Sequence, residues 1–423
     1  MGNYGIERLK GKPYFRDGLW WVSPFNYIID EVLEGLQGKT VAIHDVTLRD
    51  GEQTFGVAYS PEERVRIAEA LDELGVARIE VGMPIASSVI AEGMKQVVRR
   101  NLNAEVVGFL RTMHSDIDVA LDCGVQTVIL EHVMNPFMSE NAYGLDKEKV
   151  IDRIVSSAQY ANEKGLKTIF MGWELTRGDD MDYIRDVYTA VARGSRLEGL
   201  VVVDTLGVAL PRAVGFIFRK LREWIPDIPL EFHTHNEFGL ANGAVLEAVA
   251  QGARVIHTAV NGLGERTGNA ATEEVVMMLE LLAGIRTGVA LDRLANVSSV
   301  VENISRRPIP PNKPVVGRGL SDLETGIAVD ALRKFEKAGF RISVQPFLPE
   351  LVGQEPFKLV LGKNTGKATV EYFLDRLGLD ATEAQIDEIT ERVKYEGRVQ
   401  KSLISERQFA AICKGVLGST YPD

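Results

Sequence analysis

The chain has 423 residues, of which 45% are hydrophobic and 25% charged; that is enough apolar material for a large core and a smaller second one, and it excludes a disordered protein. A formal net charge of -11 opposes a general nucleic-acid or anionic-membrane partner, because phosphate binding wants a basic surface. Two cysteines form neither a disulfide framework nor a metal-binding pair, no apolar leader opens the chain and no run reaches transmembrane length, so a cytoplasmic protein is expected.

Residues 1–38 read as an N-terminal arm, with aromatic side chains at Trp20, Trp21, Phe25 and Tyr27 and a short helix expected over 28–36. From Thr40 a strand-helix alternation begins and repeats. The expected strands cover 40–45, 78–81, 106–110, 127–131, 168–173, 200–204, 230–235 and 255–260. The first helix opens at Ser60-Pro61-Glu62-Glu63, where Ser60 caps, Pro61 suits the first helical position and Glu63 closes a capping box. Later helices are expected over 88–99, 116–121, 147–164, 181–193, 211–224, 240–251 and 270–282. Apolar strands that each cross over through a helix must run parallel, and eight of them close into a (β/α)8 TIM barrel, an α/β fold, here spanning 39–295. A Pro-rich connector, Arg306-Arg-Pro-Ile-Pro-Pro-Asn-Lys-Pro-Val315, lies within the remaining 296–423, which reads as a mainly helical accessory region.

Polar residues gather at one end of these strands. Arg49, Asp50 and Gln53 follow the first, and Glu80, Arg111, Glu131, His132, Glu174, Asp204, Thr205, His233, His235 and Asn261 stand at the ends of later ones. In a barrel of this kind that end is the catalytic face. A salt-bridged loop would account for the first cluster alone, but a stability role would place charges on the outer helices rather than at eight strand ends. His233 and His235 are two residues apart on a strand, so both rings point to one side and can share an ion. With Asp50 as carboxylate they make a three-ligand open site, to which Asn269 can add a neutral oxygen. No thiolate is offered, so the expected ion is divalent and tolerant of nitrogen and oxygen: Mn, Zn, Co or Mg.

Five segments carry a family resemblance: Thr47-Leu-Arg-Asp-Gly-Glu-Gln53, Ile79-Glu-Val-Gly-Met-Pro84, Asp204-Thr-Leu-Gly207, His233-Thr-His-Asn236 and Asn261-Gly-Leu-Gly-Glu-Arg-Thr-Gly-Asn269. Together they resemble the metallolyase barrels that include isopropylmalate synthase, homocitrate synthase and hydroxymethylglutaryl-CoA lyase. The resemblance implies the same Asp50, His233, His235 metal site, completed by Asn269 or water. It also implies that Arg49 stabilises an enolate or polarised carbonyl oxygen and that Thr205 holds a substrate carboxylate. The loop at Gly264-Glu-Arg-Thr-Gly-Asn269 is similar to that of the synthases, whereas the lyases carry a cysteine there. Glu174-Leu-Thr-Arg177 is similar to the synthases' fifth-strand segment, which makes Glu174 either an acid/base or a structural carboxylate paired with arginine. Gln53, Glu80, Arg111 and His132 are the further expected substrate contacts, Arg111 suggesting a second substrate carboxylate.

One departure from the pattern matters. Those synthases place a histidine and a tyrosine from the tail over the active site, and the matching positions here are Ala328 and Val344, with no histidine after His257. The resemblance therefore implies a divalent-metal enzyme condensing an acyl-CoA, acetyl-CoA foremost, with a 2-oxo acid, in the manner of homocitrate, isopropylmalate or citramalate synthases. A carbon-carbon lyase or aldolase of the same machinery is the alternative, and a catalytically silent metal-binding homologue the third reading. Expected partners are a small carboxylic acid, a CoA thioester and a second copy of the chain, with no nucleic acid and no membrane.

Overall fold

The computed structural model describes residues 6–342 and 344–418. Contacts divide the chain into two units, one from Phe25 to Ile309 and the other made of the chain up to Pro24 together with the chain from Pro310 onward.

In the second unit, β1 (Phe15–Arg16) and β2 (Trp20–Trp21) form an antiparallel hairpin. Trp20 bridges to Phe347, and the Trp21 N–H donates to the Pro346 carbonyl at 2.8 Å. The aromatic stretch is thus split between units, because the Tyr27 hydroxyl donates to the Leu281 carbonyl at 2.7 Å within the barrel unit. The short helix expected over 28–36 does not form. Turns occupy this stretch, burying Leu33 and Leu36. So short a segment cannot offset the cost of helix nucleation alone. Gly35, at φ +73, also presses against the Ala250 carbonyl, where a Cβ would lie 2.7 Å from the oxygen.

The expected barrel is present. Strands β3 (Ala42–Asp45), β4 (Arg78–Glu80), β5 (Glu105–Arg111), β6 (Thr127–Val133), β7 (Lys167–Trp173), β8 (Gly199–Asp204), β9 (Leu230–Thr234) and β10 (Val255–Thr258) pair in chain order, and β10 returns in parallel register to β3. The outer layer contains α1 (Pro61–Leu74), α2 (Ser88–Val98), α3 (His114–Cys123), α4 (Pro136–Tyr143), α5 (Lys147–Glu163), α6 (Met181–Gly194), α7 (Pro211–Trp224), α8 (Ala241–Ala250) and α9 (Thr272–Met277). The capping box at Ser60 forms as read: its hydroxyl accepts from the Glu63 N–H at 3.2 Å and Glu63 answers at 2.8 Å. Other features of the barrel unit were not read. The short helix α4 follows β6, capped by Asn135, and α9 gives way to a π-helical turn at Met278–Leu282. A further helix, α10 (Leu294–Ser305), packs on α1 through its buried Leu294, Val297, Val301 and Ile304.

Strand alternation fixes which side chains enter the barrel. Val107, Phe109, Ile129, Ile169, Met171, Val201 and Val203, all of one parity across β5 to β8, form a single buried cluster inside. Residues of the other parity face the helices, as Phe232 does against Phe218 of α7 and Phe170 against Tyr188 of α6.

The C-terminal part of the second unit has its own core. Short parallel strands β11 (Asp322–Leu323) and β12 (Lys358–Leu359) accompany α11 (Gly326–Lys337), α12 (Lys367–Leu377), α13 (Glu383–Gln400) and α14 (Glu406–Leu417). Leu361, Val370, Phe373, Ile389, Val393, Phe409 and Cys413 pack together there, so the accessory region is mainly helical as expected. Cys123 and Cys413 are both free and buried, and no helix among the described residues is long and apolar enough to cross a membrane.

One side chain locks the first two loops of the barrel's upper face. Arg64 of α1 is fully buried and donates Nη1 to the carbonyls of Leu48 at 2.9 Å and Val81 at 3.0 Å, while Nη2 pairs with Glu52. Replacing it strands two buried carbonyls and a carboxylate. Arg64→Leu is expected to lower the unfolding free energy by about 3–5 kcal/mol, read by chemical denaturation.

Candidate metal centre

The turn after β3 places Asp50 at the barrel mouth, 1% exposed. Its Oδ2 lies 3.5 Å from His233 Nε2 and 3.5 Å from His235 Nε2, and those two nitrogens are 3.4 Å apart. Three donors held at about 2.0–2.2 Å from one tetrahedral ion would be separated by roughly 3.4 Å, so the triangle has the span of a shared ion. The remaining Asp50 oxygen accepts from the Glu265 N–H at 3.0 Å, which fixes the carboxylate's rotation.

Three further observations fit a cation. Asn269 donates Nδ2 to the Leu263 carbonyl at 2.9 Å, leaving its Oδ1 buried without a protein partner, and His235 bridges to Asn269 along the backbone. Burial pushes the His233 imidazolium down to about 4 against the pull of Asp50, so at neutral pH its ring is neutral, as a ligand requires. Burial alone would raise the Asp50 carboxyl, but the Arg49 charge and hydrogen bonds from both histidines hold it well below its ordinary range. Gly264, at φ +157, is required beside this triangle because a Cβ there would collide with Asn269 Nδ2 and meet Asp50 Oδ1 at 2.9 Å. The four residues thus fit the divalent ion that their chemistry implies.

Arg49 is the second element. Its Nη1 donates to Asp50 at 3.0 Å, its Nε pairs with Glu80, and its guanidinium carbon stands 4.2 Å over the Phe109 ring. Nη2 is buried with no protein partner. A cavity of about 240 Å³ opens here, lined by Arg49, Gln53, Met83, Ile90 and Phe109 among others.

A deeper layer lies below, which sequence reading did not assemble. His44 Nε2 is 2.9 Å from Glu80, His257 Nε2 is 3.0 Å from Glu231, and Arg78 pairs with Glu231 at 2.7 Å, nearly all of it shut off from solvent. His44, His257 and Glu231 are close enough to suggest a second metal site. Their geometry argues otherwise: the two rings stack at 4.1 Å and 9°, so their in-plane lone pairs run parallel and cannot converge on one ion. The layer is a hydrogen-bonded support. Burial would raise Glu80 and Glu231, yet the Arg49 charge on the first and the His257 bond with Arg78 on the second hold both near about 2. The signal was available, since His44, Glu80, Glu231 and His257 all share the inward parity of their strands.

The other expected substrate contacts divide. Gln53 lines the Arg49 cavity. The Thr205 hydroxyl accepts from the Glu174 N–H at 2.8 Å, which leaves its own proton to donate. Glu174 is buried in a left-handed backbone conformation, φ 62, with its Oε2 held by Arg177 at 2.6 Å. Glu80, expected to meet substrate, has both oxygens engaged by Arg49 and His44. Arg111, expected to meet a carboxylate of the substrate, is half-exposed and spends its fork on Asp116, at 2.9 Å for each bond. His132 shares the outward parity of Leu130, is paired in register with Gly172, which faces Tyr188 of α6, and bonds its own neighbour's carbonyl at 3.2 Å. It is turned away from the mouth, because adjacent strand residues cannot both face inward and Glu131 has the inward place. Ala328 lies in the first turn of α11, and Val344 is 37% exposed. A larger cavity, of about 660 Å³, lies in the C-terminal unit, but its arginines are ion-paired, Arg333 with Glu371, Arg341 with Glu350 and Arg376 with Glu406.

The chain is similar to known proteins over most of its length. A family model described as HMGL-like matches residues 40–301. The 2-isopropylmalate synthase of Methanocaldococcus jannaschii is 39% identical over 93% of this chain and 75% of its own. The homocitrate synthase of Methanopyrus kandleri is 36% identical over 93% of this chain and 96% of its own. Among solved structures, hydroxymethylglutaryl-CoA lyase from Pseudomonas aeruginosa shares the fold with a TM-score of 0.58 at 21% identity, over 67% of this chain and 97% of that one.

His235→Ala removes one corner of the donor triangle. It is expected to weaken divalent-ion binding by at least about tenfold, measured as metal retained after dialysis against a graded chelator. Wild-type retention would remove His235 from the ligand set.

Proposed function

The chain belongs to the HMGL-like family, and from that premise we propose that it condenses an acyl-CoA, acetyl-CoA foremost, with a 2-oxo acid. The observation that carries this reading is the Asp50, His233, His235 triangle sharing its carboxylate with a buried arginine that has one N–H pair free.

Forming a carbon-carbon bond beside a carbonyl places negative charge on oxygen, and the site is built to meet it. Asp50, His233, His235 and Asn269 would hold Mn, Zn, Co or Mg, which when bound supplies Lewis acidity toward the oxo-acid carbonyl. Arg49 donates from Nη2 to an oxygen gaining charge, and because Glu80, Asp50 and Phe109 already fix its plane, little reorganisation is needed as the charge grows. Thr205 donates its hydroxyl proton to the acid's carboxylate, and Gln53 offers its amide from the wall of the same cavity as Arg49. Glu174 takes the proton from the acyl methyl group, its carboxylate aimed by Arg177 and its backbone tied to Thr205. The left-handed backbone at Glu174 is strain of the kind that is kept where a side chain must be aimed. With Ala328 and Val344 offering no proton-transfer group, this work falls to the barrel.

The test is release of free thiol from acetyl-CoA in the presence of divalent ion and a panel of 2-oxo acids. Release that needs both the acid and the ion is expected; its absence with every acid would sink the proposal. Arg49→Lys keeps the charge but loses the planar fork, and should reduce turnover by about 100-fold or more with metal content unchanged. Glu174→Gln keeps size but not basicity, and its turnover should fall by about 100- to 10,000-fold, again at full metal content.

A further inference from the structure

The inside of the barrel is unevenly furnished. Strands β9, β10, β3 and β4 turn inward Glu231, His233, His257, His44, Arg78 and Glu80, whereas β5 to β8 line their half with Val107, Phe109, Ile129, Ile169, Met171, Val201 and Val203. Glu131 interrupts the apolar half. It stands two residues above Ile129 on β6, in register with Arg111 and Met171, and alternation turns it into the mouth.

The buried acids around it are engaged by the protein: Asp50 by Arg49, Glu80 by Arg49 and His44, Glu231 by His257 and Arg78, and Glu174 by Arg177. Among the described residues Glu131 has no such hydrogen bond or ion pair, although its surroundings couple it electrostatically to Arg49, Glu80 and Asp50. Arg111, the neighbour that could have answered it, is committed to Asp116. Glu131 is half-buried, so water reaches its carboxyl in the open mouth, and a bound acid that displaces that water leaves the carboxyl unpaired unless the acid brings a donor. Burial also lifts its carboxyl to about 7 against the pull of the Arg49 charge, with Glu80 and Asp50 adding to the rise.

We propose that Glu131 is a specificity-determining residue that accepts a hydrogen bond from the side chain of the 2-oxo acid, so that the substrate class is a 2-oxo acid bearing a hydroxyl or another donor rather than a plain alkyl chain. This rests on the condensation reading above. The carbonyl end of the acid meets Arg49 and the metal ligands, and its side chain extends along the apolar wall to Glu131. An alkyl chain would bury this carboxyl unpaired, and above about pH 7 a second carboxylate would face it with like charge.

The experiment compares 4-hydroxy-2-oxobutanoate with its methyl isostere 2-oxopentanoate and with 2-oxoglutarate, each with acetyl-CoA and divalent ion. Wild-type protein should favour the hydroxylated acid in kcat/KM by about tenfold or more, since losing one buried hydrogen bond is worth at least that. Glu131→Leu should abolish or reverse the preference, and Glu131→Gln, which keeps an acceptor oxygen, should retain it. A second readout is independent of turnover: without acyl-CoA, the hydroxylated acid should raise the thermal midpoint of the wild type more than the isostere does, and should lose that advantage in Glu131→Leu. Preference for 2-oxopentanoate or 2-oxoglutarate in the wild type, or a Leu variant with unchanged ratios, overturns the assignment. If no acid elicits thiol release, the condensation reading fails, and the thermal shifts still decide what Glu131 recognises.

Discussion

A single buried cation, Arg49, holds the chemistry of this barrel together. A guanidinium taken out of water is tolerable only when carboxylates surround it, and Glu80 and Asp50 do so from two sides while the Phe109 face closes a third. Asp50 is at once the arginine's partner and the corner of the donor triangle with His233 and His235. The candidate donor triangle and the buried guanidinium are therefore not two sites placed side by side. They share one carboxylate, Asp50.

That arrangement needs a foundation. Below Arg49, Glu80 is fixed by His44, His44 stacks on His257, and His257 holds Glu231, which Arg78 also grips. Each of these groups would be expensive alone in a low-dielectric interior, and each is affordable because its neighbour supplies the opposite charge or the missing hydrogen bond. The opposite half of the barrel needs no such network, since it is filled with aliphatic and aromatic side chains. Where a charged half meets an apolar half, a substrate can be held by its polar head and sorted by its tail. Glu131 is the exception on the apolar side, and for that reason the most informative residue about what the tail contains.

The C-terminal unit stands on its own hydrophobic core, built from α12, α13 and α14 around Phe373, Ile389 and Phe409. Its cavity of about 660 Å³ is bordered by Arg333, Arg341 and Arg376, each paired with a glutamate. Ala328 and Val344, the tail positions at which the family resemblance implied proton-transfer groups, can neither give nor take a proton. In the reaction we propose, that task goes to the barrel's own Glu174, held by Arg177 and set on a left-handed backbone.

Much of this was legible in the chain alone. Eight apolar runs separated by helical patterns can close only in a few ways, because parallel strands need crossovers, and the His-Thr-His spacing put two imidazoles on one side of a strand whatever surrounded them. The capping box at Ser60 followed from local chemistry in the same way, and the C-terminal region is mainly helical as expected. What depended on distant partners was not legible. Glu80 and Arg111 read as free groups at strand ends, but their partners, His44 with Arg49 and Asp116, appear only once strands and loops are packed. His132 and Glu131 are neighbours in the chain, and only the closed sheet decided that the glutamate enters the mouth and the histidine turns to the helices. The sequence by itself determined the barrel and the residues that make the candidate donor triangle, because periodicity and residue type are local properties. The tertiary structure alone decided which charges are already satisfied and which remain open to a ligand, because that depends on groups brought together across the sheet.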